Sequence, residues 1–222
     1  MGTMVEFASN GKTCSGYLAT AEGKGPGVVV IQEWWGLVEH IKQVTDRLAS
    51  EGFVALAPDL YHGETTKEPD ESSKKMMELR IEDAGRDMAG AFDYLKQHES
   101  VEPKKIGGVG FCMGGALSIV LATLKPVDAC VSFYGIPVQP VDYSKISGAL
   151  LLHVAGHDDW VTTELAEQET ARMREAGVDA QSYEYPSTEH AFFNDHRPEV
   201  YNAEAAEQGW GRTLELFRER LV

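Results

Sequence analysis

The chain is poor in cations, poor in cysteine, and has no long apolar run. Twenty Lys and Arg stand against 35 Asp and Glu, a formal net charge of −15. That balance excludes the clustered basic surface that nucleic acid or an anionic membrane requires. No segment approaches the roughly 18 consecutive apolar residues of a membrane span. Met1-Gly2-Thr3-Met4-Val5-Glu6 offers neither a basic leader nor an apolar h-region, and Glu6 breaks the myristoylation pattern. The expected setting is therefore cytoplasmic, with a small molecule as partner. The three cysteines, Cys14, Cys112 and Cys130, are scattered and show no C-x-x-C spacing. A disulfide framework, a zinc ribbon and a redox dithiol are thereby disfavoured. No internal repeat, linker or low-complexity tract interrupts the 222 residues, so one domain spanning 1–222 is expected, as a monomer or small homo-oligomer.

What the chain does have is concentrated in Ile106-Gly107-Gly108-Val109-Gly110-Phe111-Cys112-Met113-Gly114-Gly115, followed by Ala116-Leu117-Ser118-Ile119-Val120-Leu121-Ala122. The pattern predicts a strand, a sharp turn and a helix. Gly110-Phe111-Cys112-Met113-Gly114 is the G-x-S-x-G nucleophile elbow with Cys in place of Ser. In such an elbow the glycines let strand and helix backbones approach, and the following helix directs its free N–H groups toward the sulfur, favouring thiolate. A dinucleotide-binding reading fits less well, because the third glycine position of G-x-G-x-x-G falls on Met113.

Around that centre the chain alternates strand and helix. Thr3–Phe7 and Cys14–Ala19, separated by Asn10-Gly11, predict an antiparallel hairpin. Val28–Ile31 is a β-branched run suited to a sheet buried on both faces. Further strands are expected at Phe53–Ala57, Ala129–Gly135, Ala149–Gly156 and Ala180–Tyr185. Amphipathic stripes predict helices over Val38–Leu48, from about Ser72 to Leu95, over 162–176, and from Ala206 to Leu221. In the second stripe Met77 and Met88 are expected to fill the core, and the polar 65–73 stretch before it to run over the surface. This order predicts an α/β protein with a mostly parallel, doubly wound sheet and antiparallel N-terminal strands.

The elbow asks for partners in the chain order nucleophile, acid, histidine, each just after a strand. Cys112, one of Asp158 and Asp159, and His190 meet both conditions. Cys112 would attack a carbonyl, His190 would carry the proton, and the aspartate would hold the imidazole. Met113 N–H and Trp34 N–H are the candidate oxyanion donors. His153 and His157 are four apart on a predicted strand, too far for easy chelation, so no metal or organic cofactor is expected. His40, His62, His98 and His196 are expected at the surface, and Cys14 and Cys130 in the core.

Five blocks, Gln32-Glu33-Trp34-Trp35-Gly36, Ala57-Pro58-Asp59-Leu60-Tyr61, Gly108 to Gly115, Gly156-His157-Asp158-Asp159-Trp160-Val161 and Glu189-His190-Ala191-Phe192, resemble the dienelactone hydrolase family of α/β-hydrolases, in the same order. The resemblance implies hydrolysis of a small ester or lactone (carboxymethylenebutenolidase type) without a cofactor. It selects Asp158 as the acid and implies that Glu33 controls protonation of the nucleophile. The family arginine four residues after the histidine is Asn194 here, so Arg197, Arg80 or Arg86 would have to replace it. Trp35, Trp160, Phe192 and Arg197 are the expected pocket residues. A carboxylesterase or thioesterase for neutral acyl groups is the nearest alternative, and a thiol redox sensor or binding protein on the same fold is the alternative from another class.

Overall fold

A computed structural model describes residues 1–9 and 11–222. The N-terminal hairpin pairs β1 (Thr3–Ser9) with β2 (Lys12–Ala19), antiparallel, from Thr3 opposite Leu18 to Ser9 opposite Lys12. Asn10 of the expected turn lies outside the described residues, and Gly11 has φ 80°. The chain then runs through β3 (Gly25–Ile31), α1 (Glu39–Ser50), β4 (Val54–Pro58), α2 (Pro69–Glu78), α3 (Ile81–Gln97), β5 (Val101–Phe111) and α4 (Met113–Leu124). It continues with β6 (Ala129–Phe133), β7 (Ala149–His157), α5 (Thr163–Glu175), β8 (Ala180–Glu189) and α6 (Ala203–Leu221).

All strands join one eight-stranded sheet in the order β1-β2-β4-β3-β5-β6-β7-β8. β1 and β2 are antiparallel, and the pairings from β4 through β8 are parallel. Alternation along each strand sends side chains to two separate cores. In β3, Val28 and Val30 pack with Ile41, Val44 and Leu48 of α1 and with Phe217 and Leu221 of α6. Val29 and Ile31 face the opposite way, toward Met88, Ala91 and Leu95 of α3 and Leu117 and Leu121 of α4. Helices thus cover both faces of the sheet, and the carboxyl ends of the parallel strands stay open at one edge, where sites form in such sheets.

The long second stripe is two helices rather than one. Leu79 and Arg80 are extended, with ψ 116° and 119°, and the chain bends between α2 and α3. Met88 is wholly buried as expected, but Met77 is 74% exposed and not core filling. The bend turns the short, strongly charged α2 outward, away from the register that a continuous helix would have given it. α2 also takes in the end of the 65–73 stretch, starting at Pro69.

Candidate active site

β5 delivers the nucleophile candidate. Cys112 follows its last residue, has φ 55° and ψ −120°, and serves as N-cap of α4. That conformation costs a non-glycine residue about 1–3 kcal/mol and persists only where its surroundings enforce it. Here Cys112 N–H donates to Phe133 O at 3.0 Å, and Cys112 O accepts from Gly115 N–H at 2.9 Å and Ala116 N–H at 3.2 Å. The flanking glycines are sterically required. A Cβ on Gly110 would lie 1.9 Å from Gly114 O, and one on Gly114 would lie 2.4 Å from the carbonyl oxygens of Ile31 and Gln32.

β7 and β8 end beside the elbow. Asp158 follows β7; its Oδ1 accepts from Trp160 N–H at 2.8 Å and Val161 N–H at 3.1 Å, while Oδ2 lies 2.7 Å from His190 Nδ1. His190 follows β8, and Ala191 after it takes φ 68°, which turns the chain sharply at the edge of the sheet. Burial opposes ionisation of Asp158, but the His190 hydrogen bond and charge, with the two backbone donors, outweigh it and hold the carboxyl below its ordinary value. Burial likewise opposes the imidazolium of His190. The hydrogen bond to Asp158 and the interaction with Cys112, with the charges of both, overcome it and push the imidazole up to about 10. Among the described residues, the buried His190 Nε2 has no hydrogen-bond partner. It is the ring nitrogen left for Cys112 and for substrate.

A small cavity opens on this edge, lined by Glu33, Trp34, Cys112, Trp160, His190 and Ala191. Trp160 stacks edge-on with Trp34 at 5.3 Å between ring centroids and lies 5.5 Å from the His190 ring. The walls are therefore indole and methyl, and the polar groups are Cys112, His190 and Glu33. Glu33 is 1% exposed. Its Oε2 accepts from Asn194 Nδ2 at 2.6 Å, and its Oε1 accepts from the Tyr134 hydroxyl at 3.4 Å.

The structure thus brings Cys112, Asp158, His190, Trp34, Trp160 and Glu33 together, with Met113 at the first turn of α4. The other expected pocket residues do not line the cavity. Phe192 is fully buried and packs behind it on Tyr134 and Tyr185. Trp35 lies outside, with the Arg197 guanidinium 5.8 Å from its ring centroid, and Arg197 Nε pairs with Glu199 at 2.9 Å. Arg80 and Arg86 pair with Asp83 on the surface of α3. Among the described residues, no arginine therefore takes the place of the expected cation at the cavity wall.

Two residues escaped the sequence reading. Tyr134, with φ 41°, follows β6 at the same carboxyl edge, and that position was the available signal. Asn194 stood out only as a missing arginine, whereas it is the buried donor that fixes Glu33. Tyr61 is a third neighbour: its hydroxyl donates to Met113 Sδ at 3.6 Å, and burial, then the Cys112 charge, raise its pKa. His40 is buried, not at the surface: it is 2% exposed and its Nδ1 lies 3.1 Å from Asp195 Oδ1. It sits one residue before Ile41 on the inward face of α1, against Phe111 and Phe193.

The model of the dienelactone hydrolase family matches residues 14–221. The chain belongs to the dienelactone hydrolase family. It is accordingly a hydrolase of esters or lactones on the α/β-hydrolase fold. Protein Usf of Aquifex pyrophilus is 38% identical over all of both chains, under a name that carries no activity. An Aquifex aeolicus relative, provisionally named a carboxymethylenebutenolidase, is 36% identical over 98% of each. Among solved structures, the dienelactone hydrolase-like promiscuous phosphotriesterase P91 from metagenomic libraries superposes with a TM-score of 0.91 at 27% identity, over 100% of this chain and 99% of that one. Among the described residues, no helix is long and apolar enough to cross a membrane. Two side-chain clusters there could hold a metal ion, Cys14–His62–Asp87 and His40–Asp195–His196, and neither shares a residue with the cavity.

Proposed function

We propose that this family member hydrolyses a small ester or lactone through an acyl-enzyme on Cys112. The observation that carries the proposal is the 2.7 Å Asp158–His190 bond beside a strained, elbow-borne Cys112 on one cavity wall. The Cys112 thiolate attacks the carbonyl carbon, and the oxyanion that forms is met by Met113 N–H and Trp34 N–H. The C–O bond to the leaving group breaks, and His190 Nε2–H protonates the departing alkoxide. Water then attacks the thioester while His190 Nε2 takes its proton, and the acid leaves as the thiolate is restored. Asp158 keeps Nδ1 protonated and faces the imidazolium. Glu33, tethered by Asn194 and Tyr134, stands on the same cavity wall as Cys112, where the family resemblance gives it control of the nucleophile. The chemistry needs no cofactor, and it suits a cytoplasmic protein acting as a monomer or small homo-oligomer.

The lining supports a second reading within this chemistry, a carboxylesterase or thioesterase for neutral acyl groups. Indole walls and the absence of an arginine or lysine among the lining residues favour an uncharged substrate over an anionic lactone. The phosphotriesterase activity for which P91 is named is also directed at an uncharged electrophile.

The test is steady-state hydrolysis of a dienelactone and of a neutral aryl ester by the wild type and by Cys112→Ala. Cys112-dependent turnover of the neutral ester, exceeding that of the dienelactone, is expected. Cys112-dependent turnover of the dienelactone at the higher rate would return the substrate to the anionic class. No Cys112-dependent turnover of either would overturn the proposal in favour of a thiol sensor.

A further inference from the structure

Away from the cavity, four elements meet around one buried carboxylate. Asp87 of α3 is 7% exposed, its Oδ1 accepts from Ser9 Oγ of β1, and its Oδ2 lies 3.2 Å from His62 Nε2 in the loop after β4. Among the described residues no Lys or Arg pairs with Asp87, and its one basic neighbour is the half-exposed His62. Cys14 of β2 is 1% exposed, and its sulfur lies 3.8 Å from Asp59 O. The Cys14 sulfur, a His62 ring nitrogen and an Asp87 carboxylate oxygen all lie within 4.8 Å of one another. The Asp59 carboxylate steadies the His62 loop by accepting from the Tyr61 and Gly63 N–H groups.

We propose that Cys14, His62 and Asp87 form a binding site for one thiophilic divalent cation of the Zn²⁺ class. Soft sulfur, imidazole nitrogen and carboxylate oxygen make a donor set that suits Zn²⁺ and Co²⁺ and suits Ca²⁺ or Mg²⁺ poorly. With Zn–S near 2.3 Å and Zn–N or Zn–O near 2.0–2.2 Å, tetrahedral ligands stand about 3.3–3.7 Å apart. The His62–Asp87 pair, at 3.2 Å, is already close to that spacing, and the half-exposed His62 has room to adjust toward Cys14. Ser9 Oγ or water takes the fourth position.

Charge balance points the same way. Binding replaces the Cys14 S–H bond with an S–metal bond and releases the proton to solvent, and His62 binds as neutral imidazole. Thiolate and carboxylate then offset the dication, leaving a neutral shell in a place where an unpaired charge would be costly. The donors are tens of residues apart in the chain, which is why no Cys/His spacing announced them. The cation would clamp the β1–β2 hairpin to α3 and to the loop carrying Tyr61. Its role is structural, and it takes no part in the reaction assigned to Cys112.

The test uses untagged, EDTA-dialysed Cys112→Ser protein, so that the elbow sulfur cannot contribute and hydrolytic activity is not the readout. One equivalent of Co²⁺ is expected to give a thiolate-to-cobalt charge-transfer band with tetrahedral d–d absorption, displaced by Zn²⁺. Adding Cys14→Ala should remove the charge-transfer band, and adding His62→Ala, at an exposed position, should weaken Co²⁺ binding by about tenfold or more. Adding Cys130→Ala should leave both unchanged. A Co²⁺ spectrum without a thiolate band, or a band that survives Cys14→Ala, would overturn the site.

Discussion

Two histidines at neighbouring strands behave in opposite ways, His153 being 1% exposed and the His190 side chain 24% exposed. His153 sits inside β7, with Nδ1 2.9 Å from the Tyr185 hydroxyl and Nε2 3.1 Å from Thr213 Oγ1. Thr213 donates its own proton to Gly209 O and so accepts from Nε2–H; Tyr185 accepts from Arg212 and so donates to Nδ1. That network fits only neutral imidazole, and burial, then the Arg212 charge, push His153 down to about 3. His190 sits one residue beyond β8, where its partner is a carboxylate, and it is pushed up to about 10. The lesson is that burial sets the stakes while the partner decides the sign. Hydroxyls turn a buried histidine into a strut between β7, β8 and α6, and a carboxylate at the strand end makes it a proton carrier.

The pH dependence of stability follows with opposite signs. The contribution of charged His190 is fully present below its unfolded value of about 6.5, and it is lost as pH rises through about 10. His153 binds a proton more readily unfolded than folded, so its contribution is present above about 6.5. It is lost as pH falls toward about 3.

The comparison can be broken from either side. His190→Ala should lower kcat/KM by about 10⁴-fold or more and should also lower the thermal midpoint at neutral pH, because the charged imidazole and its bond to Asp158 are gone; steady-state kinetics with a melting curve checks both. Asp158→Asn should cost about 10³-fold and move the alkaline limb of the kcat/KM profile down by at least about one pH unit, because the partner that raises His190 is gone. His153→Leu should change kcat/KM by less than about threefold but destabilise the fold by about 1–3 kcal/mol, since the Tyr185 and Thr213 hydroxyls lose their partner. Urea titrations from pH 7 to pH 4 should also show a shallower acid loss than in the wild type. The smallest effect is expected for Trp160→Ala, which removes an exposed cavity wall worth about 1 kcal/mol and should raise KM about fivefold with little change in kcat.

The placement of the triad candidates was legible because this fold puts its reactive groups immediately after strands, and strands with abrupt Gly or Asp-Asp ends are visible in sequence. Cys112, Asp158 and His190 all sit there. Less legible was anything decided by packing between distant elements. His40 reads as a surface residue until α1 is laid against Phe111 and Phe193. The Met77 stripe reads as core until the bend at Leu79-Arg80 rotates α2 away, and no proline or glycine marks that bend. Asn194 could be read as a missing arginine, but its bond to Glu33 spans 161 residues and has no local signature.

The most direct test of the central claim, that Cys112 carries the acyl group while paired with His190, is trapping. Wild-type protein is mixed with a neutral aryl ester, quenched in acid within the first turnover, digested, and examined by mass spectrometry. The expected result is one acyl adduct on the peptide containing Cys112, with a burst of phenol of matching amplitude, both lost in His190→Ala. A burst with no adduct on Cys112, or an adduct on Cys14 or Cys130 that forms at the rate of turnover, would contradict it.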